Sequence, residues 1–148
     1  VFAGPIEEGF SKAGNGKSLK DFEVLPLVQV TVGDDLEACR MPTKQFLALY
    51  GGGMGARGKN FYNDHIKRLG YEEAAVKIQD LYLDGQKGAA IGSVPDELVD
   101  KVALVGSKER IRDRLGAWKD AAAKGQVGTM VVPASDLDTL RFLAEELL

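Results

Sequence analysis

Histidine and cysteine are almost absent from this sequence, and their scarcity excludes several kinds of site. His65 and Cys39 are each the only residue of their type among 148 residues. One cysteine cannot form a disulfide framework, and no zinc-ligand, Ser-His-Asp or Cys-His spacing is present. Cys39 lies in a helical pattern, where a lone thiol packs as a small hydrophobe. The sequence therefore predicts no metal site, names no catalytic residue and favours a reducing, cytoplasmic compartment.

Strong charge of one sign and long apolar runs are also missing. The formal net charge is only −3, whereas nucleic-acid binding generally needs a basic face. No apolar run approaches the ~20 residues that cross a bilayer, and no signal peptide is apparent. Neither a nucleic acid nor a membrane is therefore expected as a partner.

The most distinctive feature that is present is a glycine-rich stretch at 49–64, with helix-compatible sequence on both sides. Five glycines lie between Gly51 and Gly58, and glycine lets the backbone adopt positive φ or approach another surface closely. Three hydrogen-bond donors and two aromatic rings follow. These are the candidate cofactor- or substrate-binding residues, with the donors as polar contacts and the rings as walls: Arg57, Lys59, Asn60, Phe61 and Tyr62.

Two other interpretations of this stretch stay open. It is compatible with an ordinary connector between helices, and with a docking surface for a partner subunit. It is not a phosphate-binding P-loop, because the run ends in Arg-Gly-Lys-Asn and lacks the Gly-Lys-Ser/Thr ending of that motif.

Periodicity along the chain predicts an α/β protein with two strands. The strands are predicted at 22–32 and 127–132, the first with the near-continuous apolar core of a parallel strand that is buried on both faces. The connection at 85–92 is predicted to be loose, and the last helix is expected to begin at a Ser135 cap. The other helices are predicted at 5–14, 36–50, 60–69, 71–84, 93–102 and from Ser107 to 124.

Two strands, each followed by a helix, favour parallel pairing, but two strands alone leave both edges of a sheet open. The additional strands must come from sequence outside this chain or from a partner chain. About ninety residues separate the two predicted strands, which indicates a helical insertion in place of an ordinary crossover. The chain also begins with Val1 and not with methionine. The sequence therefore predicts a single unit, 1–148, that is the C-terminal portion of a larger α/β protein.

Two blocks of sequence resemble a known family. Val105-Gly106-Ser107 with the helix that follows, then Gly125 and the segment 127–132, resembles the last helix-strand unit of the bacterial-luciferase-like superfamily. The block 50–64, with Gly52, Met54 and Gly55 before Asn60-Phe61-Tyr62, is similar to a branch of oxidoreductases that use the deazaflavin coenzyme F(420).

The resemblance implies a (β/α)8 TIM barrel in which this chain supplies strands seven and eight and the insertion between them. It also implies hydride transfer between coenzyme F(420) and a small organic substrate, with an FMN-dependent monooxygenase as the alternative. Relatives make most contacts to the flavin-like ring from their N-terminal part, which this sequence does not contain. A second alternative is a non-catalytic interaction module that folds against a partner, and a homo-oligomer is expected.

The position of the glycine-rich stretch in such a barrel has two possible outcomes. A helix that follows a barrel strand runs back along the outside, which would leave the stretch at the face opposite the chemistry. The resemblance favours a return of the insertion to the catalytic mouth. On that basis Arg57, Lys59 and Asn60 are expected to contact the ligand there, beside Phe61 and Tyr62.

Overall fold

The computed structural model describes residues 2–133 and 136–148. Two short strands and a series of helices make up this part of the chain. The strands are β1 (Gln29–Val32) and β2 (Ala103–Gly106), and a π-helical turn occupies Leu49–Gly53. The helices are α1 (Ala3–Ala13), α2 (Leu36–Ala48), α3 (Phe61–Arg68), α4 (Glu72–Leu83), α5 (Lys87–Gly92), α6 (Asp96–Val102), α7 (Lys108–Ala123) and α8 (Leu137–Leu147).

The two strands pair in parallel, which confirms the predicted fold class. Gln29 lies opposite Ala103 and Val32 lies opposite Gly106. Beside the start of β1, Leu27 forms an isolated parallel bridge with Val131. Helices α2 to α6 therefore connect two neighbouring strands, so a helical insertion is present as the sequence predicted.

The segment predicted as the second strand, 127–132, pairs in parallel beside the start of β1 but does not form a regular strand. Leu27 and Val131 form one parallel bridge, the Val28 amide donates to the Val131 carbonyl at 2.9 Å, and the Val131 amide donates to the Pro26 carbonyl at 3.0 Å. The regular second strand is Ala103–Gly106, which follows α6 directly and lies where no element was predicted, between the helix at 93–102 and the helix that starts at Ser107. All four of its residues are buried, so the apolar run has no alternation that would separate a short strand from a buried helix end.

Helices cover both faces of the strand pair. Ala103 and Val105 belong to the apolar cluster with α2 and the helical insertion, which includes Ile78 and Leu98. The cluster on the other face combines strand residues with α7 and α8, and consists of Val28, Val30, Leu104, Ile111, Leu115, Phe142 and Leu143. Because both faces are covered, the strands carry apolar residues at consecutive positions.

Side-chain caps fix the starts of the helices beside the sheet. Asp35 accepts a hydrogen bond from the Ala38 amide at 3.1 Å, and Ser107 accepts one from the Arg110 amide at 3.3 Å. These contacts satisfy donors that have no partner within the first turn of a helix. The predicted Ser135 cap lies outside the described residues, and α8 is capped by Asp136, which accepts from the Thr139 amide at 2.7 Å.

The insertion contains one helix that the sequence did not predict, since the expected loose connection is occupied by α5. In the part of the chain that the structure describes, no helix combines the length and the apolar character needed to cross a membrane. The same residues contain no group of three histidine, cysteine or acidic side chains placed to hold a metal ion.

Candidate functional site

The carboxyl ends of the two strands form the first candidate site. β1 and β2 end together, and the Gly33 amide donates a hydrogen bond to the Gly106 carbonyl at 2.9 Å. The capped starts of α2 and α7 lie at this same end of the strands, which is the carboxyl edge of the sheet. In parallel α/β proteins, ligands bind at this edge of the sheet.

The turn after β2 is held in one conformation by its own helix. Gly106 has a φ of +112°, which only glycine adopts without strain. A Cβ at this position would lie 2.7 Å from Arg110 Cδ and 3.2 Å from Leu36 Cδ1. Arg110 Nε also donates to the Val105 carbonyl at 3.0 Å, so the side chain of Arg110 holds the backbone just before Gly106.

An ion-pair network supports this turn from the helix layer. Arg40 Nη2 contacts Asp100 Oδ2 at 2.7 Å, and Arg110 Nη2 contacts the same oxygen at 2.9 Å. Arg40 Nη1 and Lys44 Nζ contact the carboxylate of Asp96 at 2.8 and 2.5 Å. The network therefore joins α2, α6 and α7 behind the carboxyl edge.

Electrostatics keeps the two carboxylates of the network ionised. Burial by itself raises the pKa of Asp100, but the hydrogen bond from Arg40 and the charge of Arg110 outweigh it and lower this pKa below its ordinary value. The hydrogen bond from Lys44 lowers the pKa of Asp96. The hydrogen bond to Asp100 raises the pKa of Arg40 in turn.

The glycine-rich stretch lies at the opposite end of the strands. Helix α2 starts at the carboxyl edge and runs back along the strand pair, and its last residues continue into the π-helical turn. There Tyr50 and Gly51 line a cavity together with Leu27 and Gln29, which belong to the amino end of β1. The structure therefore places the stretch on the side away from the carboxyl edge.

The glycines of this turn permit close packing against α3 and α4. A Cβ on Gly51 would lie 2.6 Å from Ile66 Cδ1, and one on Gly52 would lie 2.5 Å from Tyr82 Cβ. A Cβ on Gly53 would collide with the Tyr82 ring. Larger residues would push the turn away from these two helices, so glycine is required here for packing.

Asn60, one of the five predicted contacts, is enclosed by the chain and only 1% exposed. Its Oδ1 accepts from the amides of Tyr62 and Asn63 at 2.9 and 3.1 Å, which caps α3. Its Nδ2 donates to the carbonyls of Tyr50 and Gly51 at 2.9 and 3.1 Å. The amide of Asn60 thus joins the π-helical turn to α3.

The other four predicted residues lie near the protein surface. Arg57 Nε contacts Asp80 Oδ1 at 2.6 Å, and that hydrogen bond raises the pKa of Arg57. Lys59 is exposed, as is Phe61 at 66%. Tyr62 is 40% exposed and lines the cavity at the amino end of β1. Of the five residues, only Tyr62 lines this cavity.

This amino-end cavity has a volume of about 250 Å³. Its walls include Gln29, Thr43, Phe46, Tyr50 and His65, which the sequence analysis did not select. Thr43, Phe46, Leu47 and Tyr50 follow a helical i, i+3, i+4, i+7 spacing on α2 and its continuation. That spacing could have indicated a shared face, but not that the face lines a cavity.

Parallel strands with helices on both faces, and capped helix starts at the carboxyl edge, define an α/β protein whose parallel sheet is covered by helices on both faces. The family model described as luciferase-like monooxygenase matches residues 5–125. The chain belongs to this family.

Two relatives carry the same coenzyme in their names. A provisionally named coenzyme F(420)-dependent oxidoreductase of Mycobacterium tuberculosis is 38% identical over 139 residues, which cover 94% of this chain and 39% of the relative. The coenzyme F(420)-dependent tetrahydromethanopterin reductase of Methanopyrus kandleri matches with a TM-score of 0.63 at 23% identity, over 95% of this chain and 38% of its own. This structural match shows that the two proteins share a fold and no more. The chain thus spans about two fifths of the relatives that it matches.

The residues of this chain do not fit a deazaflavin by themselves. The amino-end cavity of about 250 Å³ is smaller than the ~300–1,000 Å³ of ordinary cofactor sites. The polar atoms of Asn60 are hydrogen-bonded within the chain, and Arg57 is paired with Asp80. At the carboxyl edge the chain supplies the Gly106–Ser107 turn and the capped starts of α2 and α7.

Proposed function

We propose that this chain is a portion of an oxidoreductase that transfers hydride between the deazaflavin coenzyme F(420) and a small organic substrate. The observation that carries the proposal is the 38% identity, along 94% of the chain, to a protein named as an F(420)-dependent oxidoreductase. Because the chain covers 39% of that relative, the activity belongs to the longer assembly in which the chain takes part. The runner-up is an FMN-dependent monooxygenase, since the family model is described as luciferase-like monooxygenase.

The contribution of this chain is to shape the carboxyl edge. The coenzyme supplies the hydride chemistry, and the protein supplies binding, orientation and the exclusion of water. Here the Gly106–Ser107 turn presents its backbone at the edge, while Arg110 and Asp100 hold it from behind. This rigid turn would form one wall of the coenzyme or substrate site.

The five residues of the glycine-rich stretch stay predictions as ligand contacts. Tyr62 is the strongest of them, because it already lines a cavity. For Asn60 and Arg57 the hydrogen bonds and ion pairs within the chain favour a role in holding the fold. Lys59 and Phe61 are exposed and accessible to a ligand or partner.

The test uses the longer protein that carries this chain together with the rest of the barrel. Coenzyme F(420) and FMN are titrated separately, with absorbance and fluorescence as readouts. We expect saturable binding of F(420) and much weaker binding of FMN. Tight FMN binding without F(420) binding would contradict the choice of coenzyme.

A matched pair of glycine variants tests the role of the carboxyl edge. Gly106→Ala distorts the turn, because the residue needs positive φ and its Cβ would press on Arg110. Gly116→Ala adds the same methyl group inside α7, where nothing lies within 4 Å. We expect Gly106→Ala to weaken coenzyme or substrate binding at least tenfold and Gly116→Ala to leave binding unchanged. Equal affinities in the two folded variants would show that the turn does not contribute.

A further inference from the structure

The amino-end cavity differs from the carboxyl edge in both place and chemistry. It is bounded by Leu27 and Gln29 at the start of β1, by Val102 just before β2, and by α2, the π-helical turn and α3. The edge where the family fold places its ligands lies at the other end of the same strands. We propose that this cavity is a second binding site, which takes a small, uncharged, planar ring compound of about the size of phenol.

The volume of the cavity suits a single ring. At about 250 Å³ it exceeds the ~150 Å³ of an apolar cavity that takes up benzene in another protein. It is smaller than the ~300–1,000 Å³ typical of sites for larger ligands. One six-membered ring with a small substituent therefore fits, whereas a fused three-ring system with a tail does not.

The walls present aromatic surfaces in two orientations. The rings of Phe46 and Tyr50 stack with centroids 4.2 Å apart at an interplanar angle of 29°. The rings of Tyr50 and Tyr62 meet edge to face at 4.8 Å and 77°. Phe46, Tyr50 and Tyr62 therefore form one continuous aromatic wall, against which a planar ring can pack.

The charge of the lining selects an uncharged ligand. None of the described lining residues is aspartate, glutamate, lysine or arginine. Burial and the nearby charge of Arg68 lower the pKa of His65, so its imidazole is neutral at neutral pH. A charged ligand would find no opposite charge among the lining residues to replace the hydration that it loses.

Polar groups on the walls provide a reason to prefer a hydroxyl-bearing ring to a plain hydrocarbon. Thr43 Oγ1 donates to Gln29 Oε1 at 2.8 Å, which orients the amide of Gln29 and its amino donor. The hydroxyl groups of Tyr50 and Tyr62 can donate or accept. A ligand hydroxyl can thus find a partner on either side of the cavity.

The test measures phenol binding by calorimetry to the longer protein that carries this chain, without any coenzyme, so its outcome is separate from that of the proposed function. Benzoate and benzylamine serve as charged probes of similar size. We expect saturable binding of one phenol per chain, and at least tenfold weaker binding of both ions. Failure of phenol to saturate, or binding of benzoate as tightly as phenol, would overturn the proposal.

Neighbouring aromatic residues on α3 provide a matched pair of variants. Tyr62→Ala removes a wall, and we expect at least fivefold weaker phenol binding. Phe61→Ala removes the adjacent exposed ring, which does not line the cavity, and we expect a change of less than twofold. Nuclear Overhauser contacts between phenol and Thr43 in the unaltered chain locate the ligand independently of both variants. Equal losses in the two variants, or contacts only with residues outside the cavity, would also overturn the proposal.

Discussion

Asn60 illustrates how one side chain can resemble a ligand contact in the sequence while it serves the fold in the structure. Both ends of its amide are hydrogen-bonded, with Oδ1 capping α3 and Nδ2 holding two carbonyls of the π-helical turn. Such a residue is costly to remove, because each buried partner loses its hydrogen bond at the same time.

We therefore expect Asn60→Ala to lower the free energy of unfolding by about 3 kcal/mol or more, from the lost cap and the unpaired carbonyls. Urea denaturation measures this change. Lys59→Ala, at an exposed neighbouring position, is the control and should stay within about 0.5 kcal/mol. An Asn60→Ala protein of full stability and reduced ligand affinity would instead support the original prediction of a ligand contact.

Glycines in this chain serve different purposes, and substitution by alanine can separate them. Gly52→Ala would place a Cβ 2.5 Å from Tyr82 Cβ, so the π-helical turn must move away from α4. We expect a loss of about 1–3 kcal/mol from this overpacking, measured by thermal unfolding. Gly116→Ala in the open middle of α7 should instead stabilise the chain by about 0.5–1 kcal/mol. A stability gain in both variants would show that the turn has room for a side chain.

At the scale of elements, the ion-pair network makes the packing of α2, α6 and α7 depend on pH. The pKa values of Asp96 and Asp100 are lowered in the folded chain from an ordinary 3.8. Around and below pH 3.8 the unfolded chain therefore binds more protons than the folded chain does. The stability from the network is complete above pH 3.8 and is lost as pH falls through the lower folded pKa values.

Asp100→Asn should remove much of this dependence. At neutral pH we expect a loss of about 2–3 kcal/mol, because Arg40 and Arg110 lose a charged partner. The difference from the unaltered chain should shrink as pH falls below 3.8, in urea denaturation measured from pH 2 to pH 7. Asp113→Asn, on the exposed side of α7, is the control. A difference that stays constant with pH would mean that the charge of Asp100 does not contribute.

The elements also show what the sequence could predict. Helices with long periodic faces, such as α4 and α7, were predicted close to their observed positions, and α7 also has the predicted Ser107 cap. β2 was not, because four buried residues directly after a helix carry no periodicity of their own. Of the residues that line the amino-end cavity, the sequence analysis selected Tyr62 but not Gln29 or Thr43, which meet only after α2 has packed beside β1.

At the scale of the whole molecule, apolar side chains remain on the surface near the sheet edge and the chain ends. Leu27 is 60% exposed and Leu137 is 68% exposed, and the set also includes Phe22, Leu25, Val131, Leu140 and Leu147. A strand edge with exposed apolar neighbours invites another chain. This feature supports a chain that works inside a larger assembly, and it equally suits an interaction module.

We expect the 148-residue chain alone to self-associate with increasing concentration and to bind a hydrophobic dye. Sedimentation velocity over a range of concentrations measures the association. Leu137→Lys, at an exposed position on α8, should weaken it, while Lys119→Glu on α7 tests whether any change of surface charge has the same effect. A monodisperse monomer without dye binding at every concentration would argue against both the assembly and the interaction module.

The long connection between β1 and β2 has a consequence for how the chain folds. The strands are neighbours in space, yet roughly seventy residues of helices lie between them, so their pairing must close a long loop first. The helices of the insertion contact one another locally and can form early. The hydrogen bonds between β1 and β2 can form only after the two strands have met, which makes this pairing late. During synthesis on a ribosome, β1 would therefore stay unpaired until α2 to α6 and then β2 have emerged. In this interval the exposed strand is most prone to pair with another chain and to aggregate.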